Sequence, residues 1–144
     1  MVSFVSDPQH LAEVLADELR AELPAATTLK VSPLSARLVR LDIASQVTGS
    51  AEITVLISIS ETVFEAGSGT RFELPPLPAA RDAIVSRAHA VADGHLVEWV
   101  REGRTDFELA LRNGEVLKGG VVEGLVRRRK GARRIEYLPF ASAS

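Results

Sequence analysis

From Ala51 to Ile59 every second residue is apolar: Ala51, Ile53, Val55, Ile57 and Ile59 alternate with Glu52, Thr54, Leu56 and Ser58. A period of two puts all five on one face of a β-strand. Such a strand cannot stand alone, because its apolar face needs neighbouring strands and a layer to cover them. Leu56, on the other face, points to a central strand covered on both sides.

Two helices are expected to supply the cover. Ser6 or Asp7 caps the first, Pro8 suits its first turn, and Leu11, Leu15, Leu19 and Leu23 recur at four-residue spacing with Ala12. Pro24 stops it, while Glu13, Asp17 and Arg20 fall on the wet side. A second helix is expected from about Ala79 to Glu102. At 100° per residue Ile84, Ala88, Val91, Ala92, His95, Leu96 and Trp99 gather on one face, with Asp82, Ser86, Ala90, Asp93 and Val97 opposite and Gly103 as C-terminal cap.

The remaining segments read as strands. Leu29 and Val31 alternate with polar neighbours before Ser32 and Pro33; Val39, Leu41 and Ile43 alternate with Arg40 and Asp42. Gly49 is the special-φ position of the turn that follows. The run Ala66 to Thr70 joins Val63–Glu65 to Arg71–Leu74 as a hairpin. Phe107, Leu109 and Leu111 precede Asn113-Gly114, a strong hairpin signal, and Val116 leads the return strand. The expected architecture is α+β: one layer of antiparallel sheet packed against two amphipathic helices, in the order α-β-β-β(-β)-α-β-β-β. It forms a single domain over residues 1–144, and residues 141–144 read as a fraying terminus.

At 144 residues with 46% hydrophobic and 25% charged residues and a formal charge of −2, the chain is long enough for one core and too apolar for disorder. The absence of cysteine excludes disulfides, thiolate metal sites and cysteine nucleophiles. No apolar run reaches the roughly 18 residues of a membrane span, and no basic segment followed by an apolar core opens the chain. A cytoplasmic location is expected, or a virion if the protein is phage-derived.

Charge is unevenly distributed. Arg127, Arg128, Arg129, Lys130, Arg133 and Arg134 stand against the single acid Glu136 between Leu125 and Phe140, a net +5. The other 11 basic and 18 acidic residues leave the first 124 positions at −7. These six cations are read as a basic hairpin over about 121–138 that contacts a partner protein, a second copy of the chain, or phosphates. The alternative is a solvated sheet edge whose arginines discourage aggregation. Only Tyr137 and Phe140 are aromatic nearby, and neither is interleaved with the arginines.

Other constellations are thinner. His10, His89 and His95 are the only histidines; His95 reads as a packed core residue, and His89 with Asp93 is a metal pair only in outline. No metal and no cofactor is expected. The loop Gly67-Ser68-Gly69-Thr70 lacks the lysine and following helix of a phosphate-binding loop and reads as a turn. Ser58 and Ser60 lie along a strand, away from any nucleophile elbow. Asp106 and Glu108 share a strand face, where acid–base work would need enclosure.

The order helix–sheet–helix–sheet at this length is similar to that of phage tail-terminator and connector proteins and of the immunity proteins of bacterial toxin systems, a likeness of element order alone. What it implies is a non-enzymatic interaction or assembly module that binds itself or another protein, with the basic hairpin as charged contact. Nucleic-acid binding through the same hairpin and inhibition of a toxin are the alternatives, and a small hydrolase or isomerase ranks last.

Overall fold

A computed structural model describes residues 7–102, 104–119 and 131–141. The fold is α+β, two helices on antiparallel sheet, in the order α1 (Pro8–Glu22), β1 (Thr27–Ser35), β2 (Leu38–Ser45), β3 (Ile53–Ser58), β4 (Thr62–Ala66), β5 (Thr70–Leu74), α2 (Arg81–Ala92), β6 (Leu96–Arg101), β7 (Arg104–Ala110), β8 (Val116–Gly119) and β9 (Arg133–Glu136). The strands divide into two sheets instead of one layer: a five-stranded meander β1-β2-β3-β4-β5 and a four-stranded sheet ordered β8-β7-β6-β9.

The Ile53 stripe is the centre of the first sheet. Ile53, Val55 and Ile57 are buried, with β2 on one side and β4 on the other. The strand ends at Ser58, which leaves Ile59 exposed, and Leu56 on the opposite face is only half-buried. Helix α1 lies across β1, β2 and β3, burying Ala12, Leu15, Ala16 and Leu19. Its start follows the local chemistry: the Asp7 side chain accepts a hydrogen bond from the Gln9 N–H, with Pro8 in the first turn. Pro33 lies in β1, an edge strand of the kind that tolerates proline, beside a register shift between Pro33 and Ser35.

The second helix is half the expected length. It ends in a Schellman motif, in which the Gly94 N–H donates to the Val91 carbonyl and the His95 N–H to the Ala90 carbonyl, with Gly94 at φ +82°. The chain then turns into β6. The residues from Leu96 to Trp99, expected to extend the helix, are strand, and His95 is exposed instead of packed in the core. Gly103, expected as the cap, lies outside the described residues.

The two sheets meet through aromatic rings. Phe64 on β4 lies 6.1 Å from Phe72 on β5, which makes an edge-on contact at 5.1 Å with Phe107 on β7. The Arg87 guanidinium of α2 covers the Phe72 ring at 4.6 Å. The chain's C-terminal stretch closes the packing. The Phe140 N–H donates to the Ala92 carbonyl, the Ser45 hydroxyl donates to the Phe140 carbonyl, and the Phe140 ring is fully buried. Among the described residues no helix is long and apolar enough to cross a membrane.

Candidate functional site

Alternation along β6 sorts its residues onto two faces with different chemistry. Leu96 and Glu98 point toward the core, opposite Leu109 and Phe107 of β7. Val97, Trp99 and Arg101 point outward, opposite Glu108, Asp106 and Arg104. On the other side of β6, strand β9 pairs Arg134 with Trp99 and Arg133 with Val100.

The inner face carries a buried carboxylate. Glu98 is fully enclosed, and its two oxygens accept from the Ser68 N–H (2.9 Å), the Ser68 hydroxyl (3.0 Å), the Gly69 N–H (3.1 Å), the Thr70 hydroxyl (2.7 Å) and the Tyr137 hydroxyl (2.5 Å). Burial pushes this acid up, but the hydrogen bonds from Ser68, Tyr137, Thr70 and Gly69 outweigh it and hold the carboxyl below its usual range. Tyr137 is pushed up to about 12, by burial first and then by its bond to the Glu98 carboxylate. The glycine loop is a turn, as its sequence indicates, and it cradles an anion after all: the chain's own Glu98. At Gly67, φ is +63° and a Cβ would stand 2.6 Å from Glu98 Oε1, so only glycine fits there. The clamp joins the β4–β5 turn of one sheet to β6 of the other.

The outer face is where the basic residues arrive. The Arg134 guanidinium lies 5.9 Å from the centre of the Trp99 ring and pairs with Glu136 at 2.9 Å. On β7 and β8, Glu108 and Lys118 face each other at 3.9 Å. Trp99, Arg101, Glu102, Arg104 and Asp106 line a pocket of about 290 Å³ at the β6–β7 end of this face. Asp106 is 3% exposed, and its Oδ1 has no hydrogen-bond partner. Glu102 holds a left-handed backbone, φ +46°.

Of the six cations expected to form the contact, Arg133 and Arg134 are exposed residues of β9, and they reach the sheet beside β6. Arg127, Arg128, Arg129 and Lys130 lie outside the described residues, as does most of the expected hairpin. The aromatic neighbour that the arginines lack in sequence is supplied by Trp99, 35 positions before Arg134. That pairing was hidden because residues 96–102 carry an apolar spacing compatible with helix.

The histidines stay apart from this pocket. His89 faces Glu22 at 3.7 Å, and Asp93 takes a bidentate pair of hydrogen bonds from Arg112 at 2.7 and 2.8 Å instead of sharing a metal with His89. That pair, with the Arg112 hydrogen bond as main cause, holds Asp93 below the usual carboxylate range. No group of three or more metal-binding side chains occurs among the described residues. Compared with known proteins, the chain matches no family model, no curated protein and no solved structure.

Proposed function

We propose that this chain is a non-enzymatic assembly module that binds a protein partner, a further copy of itself in the first instance, through the outer face of the β6–β9 sheet. The observation that carries the reading is the Arg134 guanidinium over the Trp99 ring, 5.9 Å from its centre, on that face. Tryptophan and arginine are the residues that dominate the energetic centres of protein interfaces, while paired charges populate the rims. Glu136, Glu108 and Lys118 supply such a rim.

Charge balance favours protein over nucleic acid as the partner. Among the described residues of this face and its pocket, Arg101, Arg104, Lys118 and Arg134 are matched by Glu102, Asp106, Glu108 and Glu136. A phosphate backbone calls for an excess of cations. The division of the whole chain into a −7 portion and a +5 segment supports contacts between copies, because opposite patches on one chain complement each other head to tail. A tail component or another oligomeric assembly, in the cytoplasm or a virion, would use such a chain.

Light scattering across protein concentration, at low and high salt, tests the reading. Association that weakens with salt and is lost in Trp99→Ala and Arg134→Ala is expected. A monomer under every condition removes self-association. Retention on a DNA or RNA column at low salt would transfer the face to nucleic acid.

A further inference from the structure

The turn between β7 and β8 carries a reactive pair of residues that its own geometry requires. Ala110 and Val116 are the last ladder partners, and the chain reverses between them. The Gly114 N–H donates to the Leu111 carbonyl at 3.1 Å, and the Leu111 N–H donates to the Glu115 carbonyl at 2.8 Å. Gly114 has φ +96°, the left-handed position that ends a three-residue hairpin loop. Glycine suits that φ, so the turn places a glycine directly after Asn113. A Cβ at Gly114 would meet nothing within 4 Å, and Asn113, Gly114 and Glu115 are all exposed. No side chain shields the Gly114 nitrogen from the neighbouring amide, and water has access to both.

Both reacting groups are held while the turn is closed. The Gly114 nitrogen is a nucleophile only without its proton, and the Leu111 carbonyl holds that proton. A hydrogen-bonded amide proton passes to solvent when the bond opens. The electrophile is Cγ of Asn113, whose amide is pinned at both ends. Its Oδ1 accepts from the Glu115 N–H at 2.9 Å, and its Nδ2 donates to Glu115 Oε1 at 3.1 Å.

We propose that Asn113 is a self-modification site, converted to a carboxylate through the Gly114 backbone, and that opening of the turn sets the rate. Solvent base takes the Gly114 N–H proton, and the nitrogen attacks Cγ of Asn113. The new N–Cγ bond closes a cyclic imide. The Cγ–Nδ2 bond breaks, and Nδ2 takes a proton from water and leaves as ammonia. Water then opens the ring at either carbonyl, giving an aspartate or its β-linked isomer. Nothing is oxidised or reduced, and water is the co-reactant. The product does not restore the turn. A carboxylate at position 113 has no N–H for Glu115 and repels it, and the β-linked isomer adds a backbone carbon inside the turn. Arg112, whose bidentate pair with Asp93 ties this turn to the end of α2, loses its fixed base. The site does not rest on the association proposed above.

The full chain is kept at mildly alkaline pH beside a synthetic peptide of residues 111–116, and mass spectrometry follows conversion at Asn113 in both. Hydrogen exchange of the Gly114 amide is measured in the same buffer. Conversion in the native protein is expected to be slower than in the peptide by about tenfold or more, from the hydrogen bonds that opening breaks. That slowing should match the protection factor of the Gly114 amide within about threefold. Glu115→Ala, an exposed substitution, should raise the native rate about threefold or more against a peptide carrying the same change. The proposal is overturned if native and peptide rates agree, or if Glu115→Ala leaves their ratio unchanged. It is also overturned if the urea-unfolded chain converts fully while the native chain gives no product. Asn113→Asp, made directly, should speed exchange of the Gly114 and Leu111 amides; unchanged exchange would remove the claim that the product leaves the turn open.

Discussion

Tyr137 donates a 2.5 Å hydrogen bond to Glu98, so the stretch that follows β9 is tied to the same carboxylate that holds the β4–β5 turn. Three parts of the chain, near positions 68, 98 and 137, converge on one buried charge. A buried carboxylate is costly unless its lone pairs are filled, and at Glu98 five donors fill them. The clamp sits directly behind Trp99. Its effect on function is therefore to fix β6, and with it the outward face on which the partner is proposed to bind.

Replacing Glu98 by Gln keeps the shape and removes the charge. The amide nitrogen then faces donors, so hydrogen bonds are lost and donors are left unfilled. A loss of roughly 3 kcal/mol or more is expected, the scale of a broken charged hydrogen-bond network. Chemical denaturation of Glu98→Gln against the unaltered protein measures it, and a change below about 1 kcal/mol would mean that the clamp is not structural.

The clamp also sets pH limits. Glu98 is held below its usual range in the folded protein, so its contribution is complete above the unfolded value near 4.5 and is lost as pH falls through the folded value. Tyr137 is shifted the other way, to about 12 from 10.0. Its contribution is complete below about pH 10 and declines as pH rises toward 12. Tyr137 is the chain's only tyrosine, so phenolate absorbance follows it alone. Native protein should ionise this group well above denatured protein, and coincident titration curves would refute the bond.

The sequence made some of this visible and hid the rest for identifiable reasons. Period-two stripes such as Ile53–Ile57 and turn chemistry such as Asn113-Gly114 are local signals, and both appear where expected, with Gly114 at φ +96°. The stretch 96–101 defeated the same reasoning because Leu96 and Trp99 extend the helical spacing of Ile84, Ala88 and Val91. The contrary signal was Asp93-Gly94, a helix stop whose force depends on backbone conformation more than on hydropathy. With β6 read as helix, Glu98 had no visible partners, and Trp99 could not be placed beside Arg134 or Asp106. The site is made of residues far apart in sequence, and no spacing rule reaches that far.

Two glycines separate close approach from backbone conformation. Gly67 and Gly114 both have positive φ, but a Cβ at Gly114 meets nothing within 4 Å, whereas one at Gly67 meets Glu98 and Tyr137. Gly114→Ala should cost about 1 kcal/mol, the left-handed penalty alone. Gly67→Ala should cost at least about twice that and lower the ionisation of Tyr137, because the intruding methyl parts it from Glu98. Equal losses in thermal or denaturant unfolding would show that the cradle is not tight.

Phe140 gives the last test, because it asks whether the end of the chain is part of the core or lies upon it. Its ring is fully buried, its N–H is bonded to Ala92 and its carbonyl takes the Ser45 hydroxyl. Truncating such a ring leaves a cavity among residues that cannot fully collapse, a cost of about 3–5 kcal/mol. The backbone bonds flanking it hold the Tyr137 segment, which reaches Glu98. Phe140→Ala should therefore do more than destabilise: it should loosen the clamp and bring the Tyr137 ionisation down toward 10. Phe140→Leu, which retains most of the buried volume, should restore much of both. If Phe140→Ala unfolds at the same denaturant concentration as the unaltered chain, the C-terminal stretch is an appendage, and Glu98 is held by the Ser68 loop without help from Phe140.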